Sequence, residues 1–172
     1  GQLQHNPTSP EGDLLKRAWW RFYGPRPSRG QRPDWSNQPA FRRVVISVDT
    51  PEKDKQANDM CSIQCWGVDR ADRYLLDLRT DHMGYNTAKR TIIEMTLWAR
   101  RTWKRARVDV LIENAGYGVE LLVDLKHELG GVHKITSQNE GDKVMRATTA
   151  AGDLESGNWW LRGYGAPWQA IY

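Results

Sequence analysis

Asp49 closes the run Arg43-Val44-Val45-Ile46-Ser47-Val48, and Glu113 closes a near echo of it, Arg107-Val108-Asp109-Val110-Leu111-Ile112. Both runs are apolar and β-branched, the composition of a strand. Laid side by side and parallel, they bring Asp49 and Glu113 to one edge of a sheet. Two carboxylates held together repel each other, and a divalent cation between them relieves the repulsion. Hard oxygen ligands suit Mg2+ or Mn2+. Two such ions roughly 3.5–4 Å apart serve phosphodiester cleavage, activating a water and stabilising the leaving oxygen. That chemistry calls for more carboxylates than one pair. Glycosidic bond cleavage also uses two carboxylates, but the basic charge and the scattered arginines weigh against it. The plain alternative is two ordinary polar strand ends.

No rival chemistry has a motif. The chain lacks a glycine-rich phosphate loop ending in Gly-Lys-Ser/Thr, a GxSxG elbow and an HExxH helix. Its histidines, His5, His82, His127 and His133, are scattered. Cys61 and Cys65 are spaced to share one face of a strand, where they would stand ~13 Å apart at ~3.3 Å per residue. That is too far for a disulfide, and no second Cys/His cluster completes a zinc site. Two buried thiols in a reducing compartment is the expectation.

The elements that must position the acids follow from the patterning. The chain has 172 residues, a length for one domain with a real core. Hydrophobic residues make up 39% and mean hydropathy is −0.73, so the surface is strongly polar. The 25 basic and 21 acidic residues leave a charge of +4, a balance that fits a nucleic-acid partner without requiring one. No apolar run is long enough for a membrane span, and no signal peptide is visible, which predicts a cytosolic protein with no membrane partner.

Residues 1–40 read as a lead-in followed by a linker. Leu14–Tyr23 is aromatic and basic, an amphipathic segment packed on the domain rather than a base-stacking platform. Gly24–Pro39 carries Pro25, Pro27, Pro33 and Pro39, an extended connector. Residues 41–172 form the domain proper. Strands are predicted at Arg43–Asp49, Met60–Val68 and Arg73–Asp81, with a tight turn at Asp69–Asp72. A helix follows over Thr87–Arg105, with a basic end that the helix dipole favours. The strand Arg107–Glu113, a helix over Val119–Leu129 closed by Gly130-Gly131, a short strand Val132–Thr136 and a helix over Asp142–Ala151 complete the order. The predicted fold is α/β: a mixed five-stranded sheet, three antiparallel strands then parallel ones, with helices packed on it. A right-handed crossover puts the fourth strand beside the first or the third. Beside the first, Asp49 and Glu113 meet.

The stretches RVVISVDTPEKDKQANDMCSIQCWGVDRADRYLLDLRTDHM, VDVLIENAGYGVELL and GDKVMRATTAAGDLESGNWWL, in that order, resemble the C-terminal nuclease domain of phage terminase large subunits. WWRFYGPRP resembles the linker that joins the ATPase motor to that nuclease. The resemblance covers about Leu14 to Leu161. It implies a ribonuclease H-like fold and a metal-dependent endonuclease that cuts concatemeric viral DNA during genome packaging, with Mg2+ or Mn2+, two ions, as cofactor. It assigns Asp49 as the first-strand metal ligand, Glu113 as the acid closing the fourth strand, and Asp59 as a further acid near the site. Lys143 and Arg146 match a basic pair that would face DNA. The implied partners are double-stranded DNA, an upstream ATPase motor of the same polypeptide, the portal and the small terminase subunit, in the cytoplasm of an infected bacterium. The family's third principal acid lies in an Asp-rich helix after a stretch like GAPWQAIY. The expectation is therefore a domain truncated at its C-terminus that cuts slowly or not at all. A DNA-binding or packaging-assembly module without catalysis is the other reading, and a junction resolvase-type nuclease on the same fold a third.

Overall fold

The computed structural model describes residues 15–24, 40–51, 60–135 and 143–162. Three of its strands form a meander. β2 (Arg43–Asp49) pairs antiparallel with β3 (Cys61–Asp69), and β3 with β4 (Asp72–Asp81). The β3–β4 turn is as tight as its sequence predicts, and Arg70 adopts a left-handed φ of 54° to make it. The chain then switches to crossover units. α1 (Tyr85–Thr102) leads to β5 (Arg107–Glu113), and α2 (Gly118–Leu129) leads to β6 (Val132–Ile135). β5 lies parallel against β2, and β6 parallel against β5. The crossover thus takes the placement beside the first strand of the meander.

Two short strands extend the sheet. β1 (Arg21–Tyr23) and β7 (Trp159–Arg162) pair parallel with each other, and β7 pairs parallel with β4. α3 (Lys143–Glu155) precedes β7. The result is one seven-stranded mixed sheet in the order β1-β7-β4-β3-β2-β5-β6. The fold is the mixed α/β sheet expected, widened by β1 and β7. β1 comes from the aromatic segment of the lead-in, so that segment packs on the domain. Tyr23 donates its hydroxyl to the Leu75 carbonyl at 2.6 Å and meets Tyr74 edge to face.

One face of the sheet carries the core. Alternation in β2 buries Val44, Ile46 and Val48, and alternation in β5 buries Val108, Val110 and Ile112. These side chains pack with Ile63 and Cys65 of β3, Ala88, Ile92, Met95 and Ala99 of α1, and Leu121, Leu122 and Leu125 of α2. Fully burying each Leu, Ile or Val contributes roughly 1.5–3 kcal/mol. Cys61 and Cys65 are free thiols buried on this face, as the sequence predicts. Burial pushes the Cys65 thiol up, away from the reactive thiolate. The basic end of α1 does more than face solvent. Arg100 donates to the carbonyls of Leu129 and Gly130 at 2.8 and 3.1 Å, satisfying backbone groups left open at the end of α2. Among the described residues no helix is long and apolar enough to cross a membrane.

Candidate functional site

Both acid-bearing strands point the same way, so both acids fall at the same end of the sheet. The β2–β5 register runs from Arg43 with Arg107 to Val48 with Ile112, and its next step sets Asp49 beside Glu113. Period-two alternation puts both on the face away from α1 and α2, since their neighbours Val48 and Ile112 are buried against the helices. Asp49 is exposed and Glu113 half-buried. On the other side Asp49 is paired with Ser62 of β3. Ser62 accepts from Gln64 Nε2 at 3.4 Å and lies 3.5 Å from the Thr80 hydroxyl of β4. The acids therefore stand among hydroxyl and amide oxygens.

The loops after the two strands bring the pair together. Thr50 is buried and donates its hydroxyl to the Ala115 carbonyl at 2.8 Å. Gly116 holds a left-handed φ of 53° where an added Cβ would stand 1.9 Å from the Pro51 carbonyl oxygen. The backbone N–H of Asn114 donates to the Ile135 carbonyl at 3.0 Å, fixing the end of β5 to β6. Cys61 reports on the charge nearby: burial pushes its thiol up, and the Asp49 carboxylate adds to the shift against a hydrogen bond with Tyr117. Tyr117 in turn donates to the Met83 carbonyl at 2.7 Å, tying this loop to the chain entering α1.

The donor chemistry fits one hard divalent cation. Mg2+ is commonly held by one or two carboxylates, with waters and substrate phosphates completing its shell. Among the described residues no cation pairs with Asp49, and no three His, Cys, Asp or Glu side chains come together as a metal cluster. Asp59 lies outside the described residues. Lys143 and Arg146 begin α3, and their side chains lie outside the described ones. The far end of that helix is seated on the domain, with Ala151 and Leu154 buried and Asp153 3.8 Å from Arg73.

A second polar centre, which the spacing of acids along the sequence does not single out, occupies the opposite end of the same face. Asp109 of β5 is 1% exposed and accepts from Arg43 Nε at 2.8 Å and Arg107 Nε at 2.9 Å, with His133 Nε2 at 3.4 Å. Burial raises its pKa, but the two guanidinium groups outweigh burial and hold the carboxyl below its usual range. The signal in the sequence was an acid inside an apolar run, with an arginine opening each of the two paired strands.

Comparison with known proteins bears on fold and family. The full-length large terminase of one thermophilic bacteriophage is similar at 12% identity and a TM-score of 0.57, over 88% of this chain. The chain spans 33% of the length of that protein. The large terminase nuclease of thermophilic phage G20c, with bound magnesium, is similar at 14% identity and a TM-score of 0.54, over 83% of this chain and 69% of that one. The same nuclease with bound zinc gives 12% identity and a TM-score of 0.53, over 83% and 76%. No curated protein sequence matches. Residues 46–172, from the middle of β2 onward, match the family described as the terminase RNaseH-like domain. With the fold and the sequence pointing to one place, the chain belongs to the family of terminase RNaseH-like domains.

Proposed function

We propose that this chain is the DNA-cutting domain of a phage large terminase, an endonuclease that depends on Mg2+ or Mn2+ and acts on concatemeric viral DNA during packaging. The observation that carries the reading is the parallel pairing of β2 with β5, which makes Asp49 and Glu113 neighbours in a chain of a terminase family. The magnesium and zinc bound by the G20c nuclease support a divalent cation in the role.

Asp49 and Glu113 would hold the cation, with Asp59 as a further oxygen donor. When bound, it would polarise the scissile phosphate and lower the pKa of an attacking water. The residues supply the rest. Alone, the two carboxylates repel a phosphodiester, so the pair admits DNA only once its charge is neutralised. Asp49 stands toward solvent, where an incoming strand can reach it. Half-buried Glu113 is the more fixed of the two. Lys143 and Arg146 would meet phosphates flanking the cut. Double-stranded DNA, an ATPase motor of the same polypeptide, the portal and the small terminase subunit are the proposed partners.

One observation favours a second reading, a packaging module that binds DNA without cutting it. Among the described residues no third carboxylate joins the pair. Supercoiled plasmid incubated with the chain and Mg2+ or Mn2+ separates the two. Nicking that EDTA abolishes is the expected result. Retarded but intact plasmid would favour the binding module.

A further inference from the structure

We propose that Thr50, with Gly116 and Gly118, forms a clamp that sets the spacing of Asp49 and Glu113, making Thr50 a positioning residue for the cation pair. The proposal rests on the reading of those two carboxylates as a cation site. The β2–β5 ladder ends at Val48 and Ile112, one residue short of both acids. Beyond it the chains are free to splay unless something else joins them. Thr50 lies directly after Asp49, and Ala115 lies two residues after Glu113. The 2.8 Å bond from the Thr50 hydroxyl to the Ala115 carbonyl therefore closes a bridge across the mouth of the pair.

Two glycines let that bridge form. At Gly116 a Cβ would strike the Pro51 carbonyl oxygen. At Gly118 a Cβ would lie 2.4 Å from the Glu113 carbonyl oxygen and 3.0 Å from Thr50 Oγ1. Both approaches are to backbone or to the bridging hydroxyl itself, so the loops meet at a distance that no larger residue permits. Thr50 is only 4% exposed, although it is a hydroxyl residue in a loop next to an exposed acid. A threonine that merely decorated a loop would not be sealed there. Groups that hold ligands must keep them within about 0.5 Å of the productive geometry. A hydrogen bond spanning 65 residues of sequence and joining the residues next to both ligands is placed to do so.

The test is Mn2+ binding, measured by calorimetric titration and by the paramagnetic signal of free Mn2+. It compares the wild-type chain with Thr50→Val, which keeps the shape and removes the hydroxyl, and Thr50→Ser, which keeps the hydroxyl. Asp49→Asn and Glu113→Gln serve as site controls, and circular dichroism monitors the fold. Thr50→Val should weaken Mn2+ binding roughly 10–100-fold, the scale seen when groups supporting metal ligands are removed, with Thr50→Ser staying within about threefold of wild type. If Thr50→Val does not fold, Thr50→Ala replaces it with the same expectation. Wild-type affinity in the folded hydroxyl-free variant would overturn the clamp and leave the cation site standing. Mn2+ binding that is absent in the wild type, or unchanged in both site controls, would overturn the cation reading and the clamp with it.

Discussion

Three carboxylates lie on the two central parallel strands, and their surroundings give them different work. Asp49 and Glu113 stand together at one end without a described cation beside Asp49, a costly arrangement unless something neutralises it. Asp109, at the other end, is buried and doubly bonded to Arg43 and Arg107. Its folded pKa is depressed, so it adds stability above the unfolded carboxylate value and loses it as pH falls through the folded one. Asp109→Asn should therefore be less stable than wild type at pH 7 by about 1.5–3 kcal/mol, the range for hydrogen bonds to charged groups. The gap should close below about pH 4, where the unfolded aspartate also protonates. Urea unfolding of both proteins from pH 7 to pH 2 checks it, and a gap constant with pH would contradict the assignment. Asp49 and Glu113 were legible in the sequence because each ends an apolar run. Asp109 and Thr50 were not, because their partners lie tens of residues away and only the fold reveals them.

Elements divide the labour between the two faces of the sheet. Side chains at even positions of β2 and β5 hold α1 and α2, and those at odd positions carry the charged groups. Ile46 is fully buried at the centre of that core. Ile46→Ala should cost about 2–5 kcal/mol in urea unfolding, the range for large-to-small core changes. Because its side chain faces the helices, the Mn2+ affinity of the folded variant should stay near wild type. A comparable loss of both would mean that the faces are not separable. The strands β2 and β5 could be read to the residue, since both end in an acid. α1 ends at Thr102, earlier than the basic run suggests, and Ala106 donates its N–H to the Trp103 carbonyl in the turn that follows. β1 and β7 escaped prediction for a physical reason. RFY and WWLR are too short to show a period, and their pairing joins segments more than a hundred residues apart.

At the scale of the whole molecule, topology makes the site. Three antiparallel strands could have followed one another without bringing any two acids together. The crossover through α1 turns β5 back parallel to β2 and so puts both strand ends, with their acids, at one edge. The surrounding chain carries a net charge of +4, which suits a polyanionic partner. Binding to a short DNA duplex should accordingly weaken steeply between about 50 and 200 mM salt, as counterion release requires. Affinity that holds constant over that range, in a fluorescence anisotropy titration, would argue against phosphate contacts. The most direct test of the central claim is plasmid nicking in Mn2+ by the wild-type chain, Asp49→Ala and Glu113→Ala. The account predicts a loss in each variant of about a hundredfold or more, the scale of removing a group that stabilises developing charge. Undiminished nicking in both would contradict it.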